Sequence, residues 1–183
     1  MRKILNNKKH FLPILVILLF ILFVYWRLPN SYFEQDEWHS FGYYIYLWSL
    51  PFDKFITQIL SGSFFSHFTP LSLFTKMSMF GMFGLSAQYF FYASIFFHIL
   101  VSISVLLLVY ILSGSVLGGF VGGLFFALNA SHHQAVTWLG TFEGVELSSL
   151  FGILALILFL KNKRRGILIG LLILISLLFK ENG

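Results

Sequence analysis

The chain has 183 residues, of which 58% are hydrophobic and 10% charged, with a formal net charge of +5 and no cysteine. So apolar a composition excludes an ordinary soluble domain, and the lack of cysteine excludes a disulfide framework or a thiolate metal site. The positive charge does not make a nucleic-acid surface, because it falls in two short clusters, Arg2, Lys3, Lys8, Lys9 and Lys161, Lys163, Arg164, Arg165, as cytoplasmic flanks of membrane helices do.

The first apolar run, 11–28, follows the first basic cluster. Arg27-Leu28-Pro29-Asn30 offers no small-residue cleavage site, so the run reads as a retained membrane helix, with Pro13 in its first turn, where the missing N–H costs little. Residues 29–87 read as an extracytoplasmic loop. It opens on Ser31–His39, where Glu34, Asp36 and Glu37 crowd into four positions. Adjacent carboxylates suit a divalent cation or the activation of a hydroxyl. The structural alternative is that Asp36 caps a helix over 37–48 whose N-terminal dipole Glu37 favours. Trp38, Tyr43, Tyr44, Tyr46 and Trp48 are expected to rest on lipid headgroups.

His67-Phe68-Thr69-Pro70 reads as the entrance to a further helix, with Pro70 in its first turn and Thr69 extended. Residues 70–84 are apolar but carry Lys76 and interior glycines. Taken as a crossing, they would put Lys161–Arg165 outside, so they read as an amphipathic helix on the outer surface. Four further crossings follow at 88–112, 116–130, 145–160 and 166–179. Only the first has ample length for the bilayer core, and the others need snorkelling flanks or local thinning. The fold class is thus an all-α integral membrane protein of about five transmembrane helices, N-terminus inside, with surface helices in the first loop. Gly118, Gly119, Gly122 and Gly123 form two small-xxx-small pairs for close helix packing.

This topology brings all seven acidic residues towards the outer face, together with His39, His67, His132 and His133. His132 and His133 precede Trp138, Glu143 and Glu146. These two histidines suit a metal or a phosphate, or simply an interfacial polar loop anchored by Trp138. His98 lies inside the second crossing, where imidazoles face the bundle or a polar cavity, and reads as a satisfied structural histidine. Lys180-Glu181 closes the fifth crossing.

In this order, YFEQDEWHS, HFTPLSLFTKMSMFGMFG, FFHILVSISVLLLVYIL, GGFVGGLFFALNASHHQAVTWLGTFEGVELSSLFGILALILFL and LLFKENG resemble the N-terminal part of GT-C superfamily glycosyltransferases. The likeness is to the protein O-mannosyltransferase-like and related bacterial membrane enzymes, which use a polyprenyl-phosphate-linked sugar. It implies transfer of a sugar to an acceptor hydroxyl at the outer face of a bacterial plasma membrane. Asp36 matches the catalytic base, and Glu37 its acidic neighbour. Glu143 or Glu146 matches the second acidic position. Glu34, His67, His132 and His133 would lie near the donor phosphate or a metal, and Lys180-Glu181 matches a Lys-Glu pair of the mannosyltransferase-like branch. Dependence on magnesium or manganese stays open. Members of the superfamily usually carry about twice as many membrane helices, so the chain reads as the N-terminal portion of a longer enzyme. The competing reading is a non-catalytic membrane protein, or a piece of a transporter, acting with a partner.

Overall fold

The computed structural model describes residues 11–61, 67–129 and 133–181. The N-terminal basic cluster and His132 lie outside these residues. The elements are helical throughout: α1 (Phe11–Tyr25), a 3₁₀ turn (Leu28–Asn30), α2 (Gln35–Ser49), α3 (Phe52–Ser61), α4 (Pro70–Phe83), α5 (Ala87–Ser113), α6 (Val116–Leu128), α7 (Gln134–Thr137), α8 (Phe142–Lys161) and α9 (Gly166–Phe179).

Among the described residues, three segments are long and apolar enough to cross a membrane: Phe11–Asn30, Ala87–Ser113 and Phe142–Lys161. α6 and α9, with 13 and 14 residues, extend only about 20 Å at 1.5 Å per residue, short of a hydrocarbon core of roughly 30 Å. Of the about five expected crossings, three are thus long enough to span by length and composition, and the other two are shorter apolar helices. Along α1 only Ile17 and Ile21 are buried, while Phe11, Leu12, Leu19 and Phe23 stay exposed. A helix apolar all round with one seam buried is built to face lipid.

The seam is packed against α5 and α6. An added Cβ on Gly119 would sit 2.8 Å from the Leu106 carbonyl oxygen, and one on Gly123 2.9 Å from Ile17 Cδ1. The paired glycines thus bring α6 onto α5 and α1, as small-xxx-small spacing predicts. α8 and α9 are joined by Ser176, whose hydroxyl donates to the Ser148 carbonyl at 2.8 Å.

The segment between α1 and α5 folds as three helices. α2 starts at Gln35 with Glu34 as its N-cap, and the Glu34 N–H donates to Glu37 Oε2 at 2.8 Å in a capping box. The expectation that Asp36 caps the helix is corrected on this point. The i,i+3 spacing of Glu34 and Glu37 satisfies the end reciprocally and leaves Asp36 in the first turn. A second correction concerns Tyr44, which is 1% exposed in the core with Phe41, Leu47, Leu73, Met77 and Phe90. Trp38, Tyr46 and Trp48 do point outward. α3 carries Phe55 and Ile59 towards that core and leaves Phe52, Ile56 and Leu60 exposed along one stripe. α4 buries Ser72, Leu73, Met77 and Met79 against its neighbours, so it is a packed element rather than one resting loosely on the surface.

Candidate functional site

A cavity of about 280 Å³ opens where α2, α4, the α7–α8 loop and the ends of α8 and α9 meet, near the lower end of the range for small-ligand pockets. α2 contributes Asp36, Ser40 and Tyr44, one helical turn apart, so the three residues share a face. The chain entering α4 contributes His67 and Thr69, and α4 itself Ser72 and Lys76. Trp138, Gly140 and Thr141 close one wall, and Lys180 and Glu181 another.

The acids differ in how they are held. No hydrogen bond or ion pair among the described residues restrains the Asp36 carboxylate, which is exposed to the cavity. Its backbone carbonyl accepts the Ser40 hydroxyl at 2.9 Å. Glu37, the next residue, is 4% exposed and lines a separate, smaller cavity. Burial pushes its carboxyl above the ordinary range, opposed by the backbone amides of Glu37 itself, Glu34 and Gly140. Adjacent helical residues point about 100° apart, which is why these two acids meet different surroundings.

Glu143 and Glu146 also separate. Glu143, in the first turn of α8, is fully buried. Its Oε1 accepts the Ser72 hydroxyl and lies 3.2 Å from Lys76 Nζ. Lys76 also donates to the Gly140 carbonyl. One turn on, Glu146 Oε1 pairs with His98 Nδ1 at 2.9 Å, inside the bundle. His98 Nε2 lies 3.1 Å from the Ala127 carbonyl oxygen. A carbonyl only accepts, so Nε2 carries a proton, and Nδ1 and the carboxylate share another. His98 is thus a satisfied histidine. Glu146 is 2% exposed against His98.

His67 pairs with Glu181 across 114 positions of sequence, fastening the entrance of α4 to the end of α9. The Glu181 carboxyl is lowered by its own backbone amide and then by His67. Lys180 lines the cavity beside it. His133 is exposed at the start of α7, and its carbonyl accepts the Val136 and Thr137 amides. Neither His133 nor Glu34 borders the cavity.

Of the residues expected at the site, the cavity therefore gathers Asp36, His67, Lys180 and Glu181, with Glu143 directly behind Lys76. Three contributors were read otherwise in the sequence: Lys76 as a charge unsuited to a crossing, Tyr44 as an interfacial ring, and Trp138 as an anchor. Ser72 carried no signal at all. Among the described residues, which do not include His132, no three His, Asp or Glu side chains converge. Glu37, Glu143 and Glu181 are already engaged by a helix end, a lysine and a histidine. Among the described residues, the arrangement offers one carboxylate without a side-chain partner, Asp36, facing a small chamber whose other walls carry Lys76 and Lys180. No protein-family model, curated protein or solved structure matches the chain.

Proposed function

We propose that the chain is the acid-bearing module of a membrane glycosyltransferase, moving a sugar from a polyprenyl-phosphate donor to an acceptor hydroxyl. The observation that carries the reading is Asp36, an unrestrained carboxylate in a cavity whose opposite walls bring Lys76 and Lys180. In this mechanism Asp36 takes the proton of the acceptor hydroxyl as its oxygen attacks the anomeric carbon. The new C–O bond forms while the bond from that carbon to the phosphate oxygen breaks. The lipid phosphate leaves with the electron pair, and Lys180 offsets its charge. No step is routed through a metal. The apolar flanks of α5, α6 and α8 provide a lipid-facing surface for the prenyl chain.

The test is transfer by the protein in liposomes, from a radiolabelled polyprenyl-phosphate sugar to a hydroxyl acceptor, with Asp36→Asn as the variant. Loss of the general base lowers turnover by roughly 10²–10⁴-fold, with membrane insertion unchanged. Equal turnover in wild type and Asp36→Asn defeats the reading.

A transport role has one observation in its favour, the ionisable His98–Glu146 pair within the bundle, since such groups mark ion pathways. Proton uptake into liposomes that is abolished by Glu146→Gln and indifferent to Asp36→Asn would select it.

A further inference from the structure

Beneath the Asp36 cavity lies a second one of about 10 Å³, enclosed by Phe33, Glu37, Ser40, Tyr44, Lys76, Phe90 and Gly140 among others. That is about the room that one water molecule requires. Ser40, Tyr44, Lys76 and Gly140 line both cavities, so a single layer of polar groups divides them. Glu37 lines only the lower one. Its Oε2 is occupied by the Glu34 amide, whereas its Oε1 is buried without a hydrogen-bond partner of normal geometry among the described residues. A buried polar oxygen left unsatisfied costs about 1–3 kcal/mol, and a one-water cavity beside it is the simplest remedy.

Charge balance bears on the same site. The groups facing Glu37 are Glu34 and Tyr44 on α2, Lys76 on α4, and the Gly140 amide of the α7–α8 loop. α5 presents only the Phe90 ring. Lys76 is the one ammonium among them, and it is already paired with Glu143, which is itself fully buried. Two buried carboxylates against one ammonium leave an uncompensated negative charge, and a group in that position neutralises rather than stay ionised.

We propose that the lower cavity is a single-water site in which Glu37 takes part as a neutral carboxylic acid. Its Oε1 hydroxyl donates to the water, which in turn reaches the Ser40 and Tyr44 hydroxyls of the dividing wall. Two neighbouring acids on α2 then divide their work: Glu37 holds a proton in the interior, and Asp36 faces the upper cavity. The inference stands on burial and pairing rather than on sugar transfer, so a failure of the transferase assay leaves it intact.

The test is solid-state NMR on the full chain in liposomes with carboxyl-¹³C glutamate, the Glu37 signal being assigned through its labelled neighbours and checked with Glu37→Gln. Glu37 is expected to show the shift of a protonated carboxyl at neutral pH, together with a cross-peak to a slowly exchanging water. An ionised Glu37 at neutral pH overturns the proposal, and so does a protonated Glu37 with no water contact. The wild-type measurement suffices if the glutamine variant does not fold.

Discussion

The contact most open to quantitative test is the ion pair between Lys76 and Glu143. Glu143 is fully buried, while the Lys76 side chain keeps 13% of its surface accessible. Lys76→Met removes the ammonium with little change of volume and leaves the carboxylate with the Ser72 hydroxyl alone. Stranding a buried partner in this way costs about 3–5 kcal/mol. Glu143→Gln is milder, since Lys76 retains the Gly140 carbonyl and borders the open cavity, and should cost about 1–3 kcal/mol. In the double variant no charge is stranded, so its loss should be well below the sum of the two. For a chain of this size each kcal/mol moves Tm by roughly 2–4 °C, which puts Lys76→Met some 6–20 °C below wild type. Thermal unfolding in detergent, followed by circular dichroism across the four members of the cycle, reads the coupling directly. Additive single effects, or a Lys76→Met protein that melts with wild type, would refute the buried-pair argument.

Two further perturbations examine the packing and the titration of the same region. Gly119→Ala, whose Cβ meets the Leu106 carbonyl oxygen and Tyr110 Cβ at 2.8 and 2.9 Å, should lose about 1–3 kcal/mol, whereas Gly170→Ala in α9 meets nothing within 4 Å and should melt no lower than wild type. Glu181 and Glu37 should impose opposite slopes on stability against pH. Glu181 is lowered on folding from its ordinary value of 4.5, so its contribution is present above that value and fades as pH falls through the folded one. Glu37 is raised from 4.5, so its contribution is complete below 4.5 and fades as pH rises through the folded value. Tm measured across this window for Glu181→Gln and Glu37→Gln should show each slope removed separately, and unchanged profiles would contradict the assignments.

The apolar runs alone were enough to read the membrane character and the order of the main helices, because burial in lipid leaves a one-dimensional signature. Boundaries were less legible. α8 begins at Phe142, three residues before the apolar run, since Phe142-Glu143-Gly144 looks polar until Lys76 and Ser72 are known to face Glu143. α2 held a usable signal that a count of aromatics hides. Glu37, Ser40, Phe41, Tyr44 and Leu47 recur at helical spacing and are all buried, while Trp38, Ile45, Tyr46 and Trp48 fall on the other side. Periodicity, rather than residue type, separates the core tyrosine from the interfacial rings. The pairings Lys76–Glu143 and His67–Glu181 join residues 67 and 114 positions apart, and no local pattern announces them.

Those long-range pairs also explain why the free carboxylate lies on α2. Glu143 and Glu146 are three residues apart on α8 and so project from nearly the same side. Each meets a nitrogen from a different helix, Lys76 Nζ of α4 and His98 Nδ1 of α5. The first two turns of α8 are therefore spent on fixing its own rotation between two neighbours. Gly144, between the two acids, keeps the approach close: an added Cβ there would lie 3.2 Å from the Phe179 carbonyl oxygen and 3.4 Å from Ser72 Oγ. Glu181 is similarly committed to His67, and Glu37 to the end of its own helix. With four acids engaged in holding α2, α4, α5, α8 and α9, Asp36 is the acid of the cavity lining without a side-chain hydrogen bond or ion pair among the described residues. A carboxylate with no hydrogen bond or ion pair among the described residues can change its protonation without breaking such a contact, which is the condition a general base must meet.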